Sequence, residues 1–104
     1  MLYIIYQEDG PGSAAIRERV KKSHFEYLDK HKDILVLGGA MLADADHERI
    51  GSVLIINVPD RAAAEAFSAG EPLRNAGTFK SVKITRMRRG QWNPDAAPKS
   101  AEGH

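Results

Sequence analysis

The segment from Ile50 to Val58 is apolar at both parities of its alternation, with Leu54, Ile56 and Val58 on one side and Val53 and Ile55 on the other. Successive side chains of a strand point to opposite faces, so such a segment is normally buried on both. The opening segment, Leu2 to Gln7, repeats the pattern, with Leu2, Ile4 and Tyr6 set against Tyr3 and Ile5. A chain with two such strands must form a sheet that is covered twice. This requirement constrains the fold more than any other feature.

The cover for one side is legible. Glu8-Asp9-Gly10-Pro11-Gly12 is a dense turn signal, and Ser13 is placed to cap a helix running to about Lys32. Ile16, Val20, Tyr27, Leu28 and His31 fall on one stripe of that helix, with His24 near its middle and Phe25 outside it. Glu18, Lys22, Glu26 and Lys30 take the solvated face. Ile34 to Leu37, closed by Gly38-Gly39, reads as a second strand that can continue to Leu42. With Ile50–Val58 it makes a hairpin across the polar turn Ala43–Arg49. Asp60 is a good cap for a second helix, Arg61 to Ala69, which Gly70-Glu71-Pro72 breaks. An irregular stretch, Leu73 to Gly77, precedes a last strand from Thr78 to Met87.

The order β-α-β-β-α-β is the ferredoxin-like plan of the α+β class: a four-stranded antiparallel sheet with both helices on one face. No element remains for the second face, and a second copy of the sheet is the simplest cover. The sequence therefore predicts a homodimer through the sheet. One domain is expected over residues 1–90, followed by a mobile tail over 91–104 that is pinned, if at all, through Trp92.

Composition narrows the function. The 104 residues carry a net charge of +1, with basic residues balanced by acidic ones, so no nucleic-acid partner is expected. The apolar run at the start is too short for a secretion signal, and no stretch reaches membrane-span length, so no membrane partner is expected either. Cysteine is absent, which excludes disulfides and thiol chemistry and fits a cytoplasmic location. The histidines lack metal-site spacing, and neither a phosphate loop nor a Gly-x-Ser-x-Gly elbow is present, so no metal and no cofactor are expected.

Five residues are candidates for a site. His24 titrates in the range useful for proton transfer, although its place in an apolar stripe equally suits a core histidine bonded to a carbonyl. Asp9, in a loop directly after the first strand, could orient a histidine or anchor a substrate, or simply shape the turn. Glu71, before Pro72, could be a partner carboxylate or a loop residue. Arg17 lies near His24 on the helical wheel and could bind an anion, or snorkel to the surface. Ser52 could donate a hydrogen bond into a pocket, or only open a strand. His31 suits a helix C-terminus, His47 lies in a turn and His104 in the tail.

Taken in order, several of these residues resemble a known family. Met1-Leu2-Tyr3-Ile4-Ile5-Tyr6-Gln7-Glu8-Asp9 is similar to the start of the YCII-related (YciI-like) family. So are Arg17 seven residues before His24, a Tyr-Leu pair just after that His, Gly38 after the second strand, Gly51-Ser52 opening the third, and Glu71-Pro72 followed by Gly77. The family commonly has Asp-Pro where this chain has Glu71-Pro72, Gly-Pro where it has Gly38-Gly39, and often Arg where it has Lys21. The resemblance spans about Met1 to Arg88. It implies a ferredoxin-like fold that dimerises through its sheets, and an active site built on a His and an Asp, here His24 and Asp9. One branch of the family resembles dehydrochlorinases of chlorinated hydroxyhydroquinones. The wider dimeric α/β-barrel superfamily includes lactone isomerases and monooxygenases. The implied function is a cofactor-free enzyme on a small aromatic or lactone-like molecule. In it His24 acts as acid or base, Asp9 holds the His24 tautomer, and Arg17 or Ser52 steadies an oxyanion. The alternative is a non-catalytic dimeric module that binds a small molecule.

Overall fold

The computed structural model describes residues 1–101, so His104 lies outside the described residues. Strand β1 (Leu2–Asp9) is followed by helix α1 (Ser13–Lys30), strands β2 (Leu35–Leu42) and β3 (Arg49–Asn57), helix α2 (Arg61–Gly70), a short helix α3 (Pro72–Asn75) and strand β4 (Phe79–Met87). The sheet order is β2-β3-β1-β4, with every neighbouring pair antiparallel. The two strands that are apolar on both faces, β1 and β3, thus sit at the centre. This is the ferredoxin-like α+β arrangement that the element order predicts.

The central register sorts the side chains. Ile5 faces Leu54 and Ile84, and Tyr3 faces Ile56. With Val58, and with Ala64 and Phe67 of α2, these residues form the core. Tyr27, Leu28, Leu35, Val82 and Ile84 pack around it. Each fully buried Ile or Leu contributes about 1.5–3 kcal/mol by leaving water, so Ile5 and Ile56, both at 0% exposure, anchor the fold. On the opposite face Ile4 pairs with Ile55 and Tyr6 with Val53. Tyr6 is 43% exposed and Leu37 64%, so in the single chain this second apolar face lies open. The tail crosses one end of it. Trp92, Asn93, Pro94 and Ala97 line a groove of about 610 Å³ with Leu2, Val36, Leu37 and Ile55. Arg89 stacks over Trp92 at 5.3 Å.

Three local expectations are corrected. Ser13 does not cap α1; it is the first helical residue, and the cap position belongs to Gly12. Gly12 has φ 75°, a left-handed backbone that glycine adopts without steric cost. Asp9 is not in a loop but ends β1, on the helix-facing parity of Tyr3, Ile5 and Gln7, where a register irregularity between Glu8 and Asp9 adjusts its pairing to β4. The stretch after Pro72 is not irregular throughout; it opens with α3, whose cap is Glu71. Other elements match closely. Asp60 caps α2 by accepting a hydrogen bond from the Ala63 N–H. The stripe of Ile16, Val20, His24, Tyr27, Leu28 and His31 is the half-buried face of α1, and Phe25 is exposed.

Candidate active site

Seven residues is close to two helical turns, so Arg17 and His24 stand on the same face of α1, about 10 Å apart along its axis. That face looks onto the ends of β1 and β3. A cavity of about 520 Å³ lies between them, lined by Arg17, Lys21, His24 and Leu28 from α1 and by Gln7, Ser52 and Leu54 from the sheet. Leu35, Gly38 and Arg49 close its β2–β3 side, and Leu73 of α3 its far side. The volume suits a one-ring ligand. Mostly apolar and glycine walls with a few polar groups are the usual make-up of such a site.

Two buried carboxylates stand behind this cavity, and each holds a nitrogen side chain that lines it. Asp9 Oδ1 accepts from Arg17 Nη2 at 2.7 Å, with the two side chains 8% and 13% exposed. Arg17 also lies over the Phe79 ring, 5.5 Å from its centroid. Glu71 Oε1 pairs with His24 Nδ1 at 2.5 Å. Glu71 is buried to 1% exposure. Its place is set by α3, because its two carboxylate oxygens accept from the Leu73 and Arg74 N–H groups. Pro72 at the first helical position, where its missing N–H costs nothing, completes this short capped turn. A carboxylate can only accept, so Nδ1 carries the proton and Nε2 is left as the acceptor of the neutral ring.

The acid assigned to His24 is therefore corrected. Asp9 is bonded to Arg17, and the carboxylate on His24 is Glu71. The residue series on β1 explains the first, since Asp9 continues the helix-facing parity toward the start of α1. The capping of α3 explains the second. The structure brings four of the five candidates, Asp9, Arg17, His24 and Glu71, into two adjacent pairs, and Ser52 onto the cavity wall.

Sequence reasoning missed Gln7 and Arg49. Gln7 is 2% exposed and its Nε2 donates to Ser52 Oγ at 2.8 Å. Its signal was present: a polar side chain on the helix-facing parity of an otherwise apolar strand needs a buried partner. Arg49 lies at the end of a polar turn, where an arginine is ordinary, and nothing in its position marked it. By accessible surface Arg49 is exposed, on the cavity wall; its guanidinium is nonetheless held below its usual pKa, first by partial burial and then by the Arg17 charge, with Asp9 opposing both. Gly51, next to Ser52, faces the Gln7 carbonyl so closely that a Cβ there would collide with it and with Met41. Glycine is required at that point for β3 to approach β1. Among the described residues no group of three or more His, Asp or Glu side chains is placed to hold a metal ion. No helix among them is long and apolar enough to cross a membrane.

The family model of the YCII-related domain matches residues 1–88. The chain belongs to the YCII-related domain family. No curated protein sequence matches it. Among solved structures, it is similar to the 5-chloro-2-hydroxyhydroquinone dehydrochlorinase of Burkholderia phenoliruptrix AC1100 in complex with 2,5-dihydroxybenzoquinone. That match has 29% identity and a TM-score of 0.79, and it covers 86% of this chain and 96% of the other. An antibiotic biosynthesis monooxygenase shares the fold at 19% identity and TM-score 0.51, over 88% of this chain and all of the other. A protein from Agrobacterium tumefaciens does so at 17% identity and TM-score 0.54, over 90% and 98%. These two likenesses concern the fold alone. In this chain the ferredoxin-like scaffold carries the Asp9–Arg17 and Glu71–His24 pairs.

Proposed function

We propose that this YCII-related protein is a cofactor-free enzyme that eliminates a leaving group, such as chloride, from a small hydroxylated ring by proton transfer through His24. The single observation that carries the reading is the His24–Glu71 pair at the wall of a ring-sized cavity. Glu71 fixes the tautomer, and Nε2 is the group left to exchange a proton with a ligand. The likeness to a dehydrochlorinase supports the choice of leaving group.

The chemistry balances without an oxidant. In a chlorinated trihydroxybenzene, one ring hydroxyl proton moves to the chlorine-bearing carbon. A second hydroxyl proton is lost as chloride departs with the electron pair of the C–Cl bond. The ring rises to the quinone level, that carbon is reduced from C–Cl to C–H, and the sum is loss of HCl. His24 is the residue suited to carry a proton from oxygen to carbon. Arg17 and Ser52 are placed to hold developing oxyanions, and Asp9 holds Arg17.

The test is turnover of 5-chloro-2-hydroxyhydroquinone followed by chloride release. His24→Ala is expected to lower kcat about 10²–10⁴-fold with an unchanged circular dichroism spectrum. A His24→Ala variant that keeps full activity overturns the proposal. A pocket that binds the ring without any turnover in the native chain favours the other reading, a non-catalytic binding module.

We propose as well that the open apolar face of the sheet, with Ile4, Tyr6, Val53 and Ile55, is covered by a second copy of the chain. The support is its composition, since monomers rarely leave a contiguous patch of this kind in water. Light scattering should give twice the chain mass, falling to one chain mass in Ile55→Lys. A monomeric native chain overturns this.

A further inference from the structure

The cavity is richer in positive donors than its ion pairs consume. Of the side chains lining it, Arg17, Lys21 and Arg49 are cations, and Glu18 is the lining carboxylate opposite them. Asp9 neutralises Arg17 through one Nη2 contact. The Arg17 Nε–H stays buried with no partner. Arg49 has no hydrogen-bond or ion-pair partner among the described residues, although Arg17 lies close enough to act on its charge. Ser52 adds a third donor. Its Oγ already accepts from Gln7, so its own O–H is free to donate.

Arg17 and Arg49 both line the cavity and their charges repel. An oxyanion held at Arg49 relieves that repulsion. A neutral ring offers no such relief and leaves the same donors unpaired after water is expelled. Resting on the reading of this cavity as the substrate site, we propose that Arg49 is its charge-recognising residue. In this assignment the cavity selects ring substrates in their ionised, enolate-like form, held by Arg49 and Ser52 within the field of Arg17. Gln7 is then a positioning residue, which acts by turning the Ser52 hydroxyl into a donor.

The experiment compares two ligands of nearly one shape by calorimetry at pH 7. The first is 2,5-dihydroxybenzoquinone, a vinylogous acid that is ionised at that pH. The second is its neutral dimethyl ether. The native chain is expected to bind the ionised quinone at least about 10-fold more tightly, with a Kd that weakens as salt rises. Arg49→Gln should weaken the quinone about 10- to 100-fold and the ether less than about 2-fold. Arg49→Lys should recover part of the loss. His24→Ala should keep the selectivity, because charge recognition does not need the proton carrier. Equal or absent binding of the two ligands by the native chain overturns the inference, as does an equal loss for both in Arg49→Gln. Since these readouts are affinities, they separate this inference from the elimination chemistry, which fails instead if His24→Ala keeps its turnover.

Discussion

The two carboxylates behind the cavity are nearly alike in burial and opposite in use. Asp9 holds an arginine, whose charge does not change over any working pH. Glu71 holds a histidine, whose charge does. Their supports differ in the same sense. Asp9 ends a central strand and meets one helix. Glu71 is the cap of a separate short helix: each of its oxygens accepts from a backbone N–H, and Oε1 meets His24 as well. One pair joins a strand end to α1. The other ties α1 to an acid that cannot move without unmaking α3.

The largest expected effect comes from breaking the second pair. Glu71→Ala removes the partner of His24 and two backbone acceptors together, and should lower unfolding stability in urea by about 3–5 kcal/mol. Glu71→Gln keeps the side-chain shape and one of the two cap acceptors, with a donor in place of the other. It should recover most of the stability while leaving turnover low, which separates the structural from the positioning part.

Asp9→Ala, at the less buried carboxylate, should cost about 1–3 kcal/mol in urea unfolding. If the loss exceeds that of Glu71→Ala, the contrast drawn between the pairs is wrong.

The wall between the pairs can be tested through Gly51→Ala. Its Cβ would press on the Gln7 carbonyl and part β1 from β3, at a cost of about 1–3 kcal/mol. Ligand affinity should fall with it, because Ser52 and Gln7 shift together.

The smallest effect is at Tyr27, whose hydroxyl donates to the Phe67 carbonyl at 2.7 Å beneath the His24–Glu71 pair. Burial, and then the Glu71 charge, push its phenol above its ordinary pKa of 10.0. The folded chain therefore holds this proton more tightly than the unfolded one. Its contribution is fully present below pH 10 and is lost as pH rises through the folded-state value. Tyr27→Phe should cost about 1 kcal/mol at neutral pH and should flatten the alkaline fall in stability. An unchanged alkaline profile would show that Glu71 does not act on Tyr27.

The periodicity of β1, β3 and α1 is local information, and it carried the sheet, both helices and the half-buried stripe with His24 to within a few residues. Element order then led to the ferredoxin-like plan, because few ways exist to cover one face of such a sheet with two helices. The residues of the site were mostly legible too, since Asp9, Arg17, His24, Ser52 and Glu71 are polar groups at positions that burial makes costly. Their partnerships were not. Which acid meets His24 depends on a one-turn helix capped 47 residues away, and on a strand that runs two residues further than its turn signal suggests. Arg49 falls in a segment that sequence alone reads as a polar turn, and only the pairing of β3 with β1 puts it, as the first residue of β3, on the same cavity wall as Arg17. Side-chain type and spacing are properties of the chain. The distance between two charges is a property of the packed sheet and helices, and in this protein that distance decides which histidine proton can move and which arginine is left to meet a ligand.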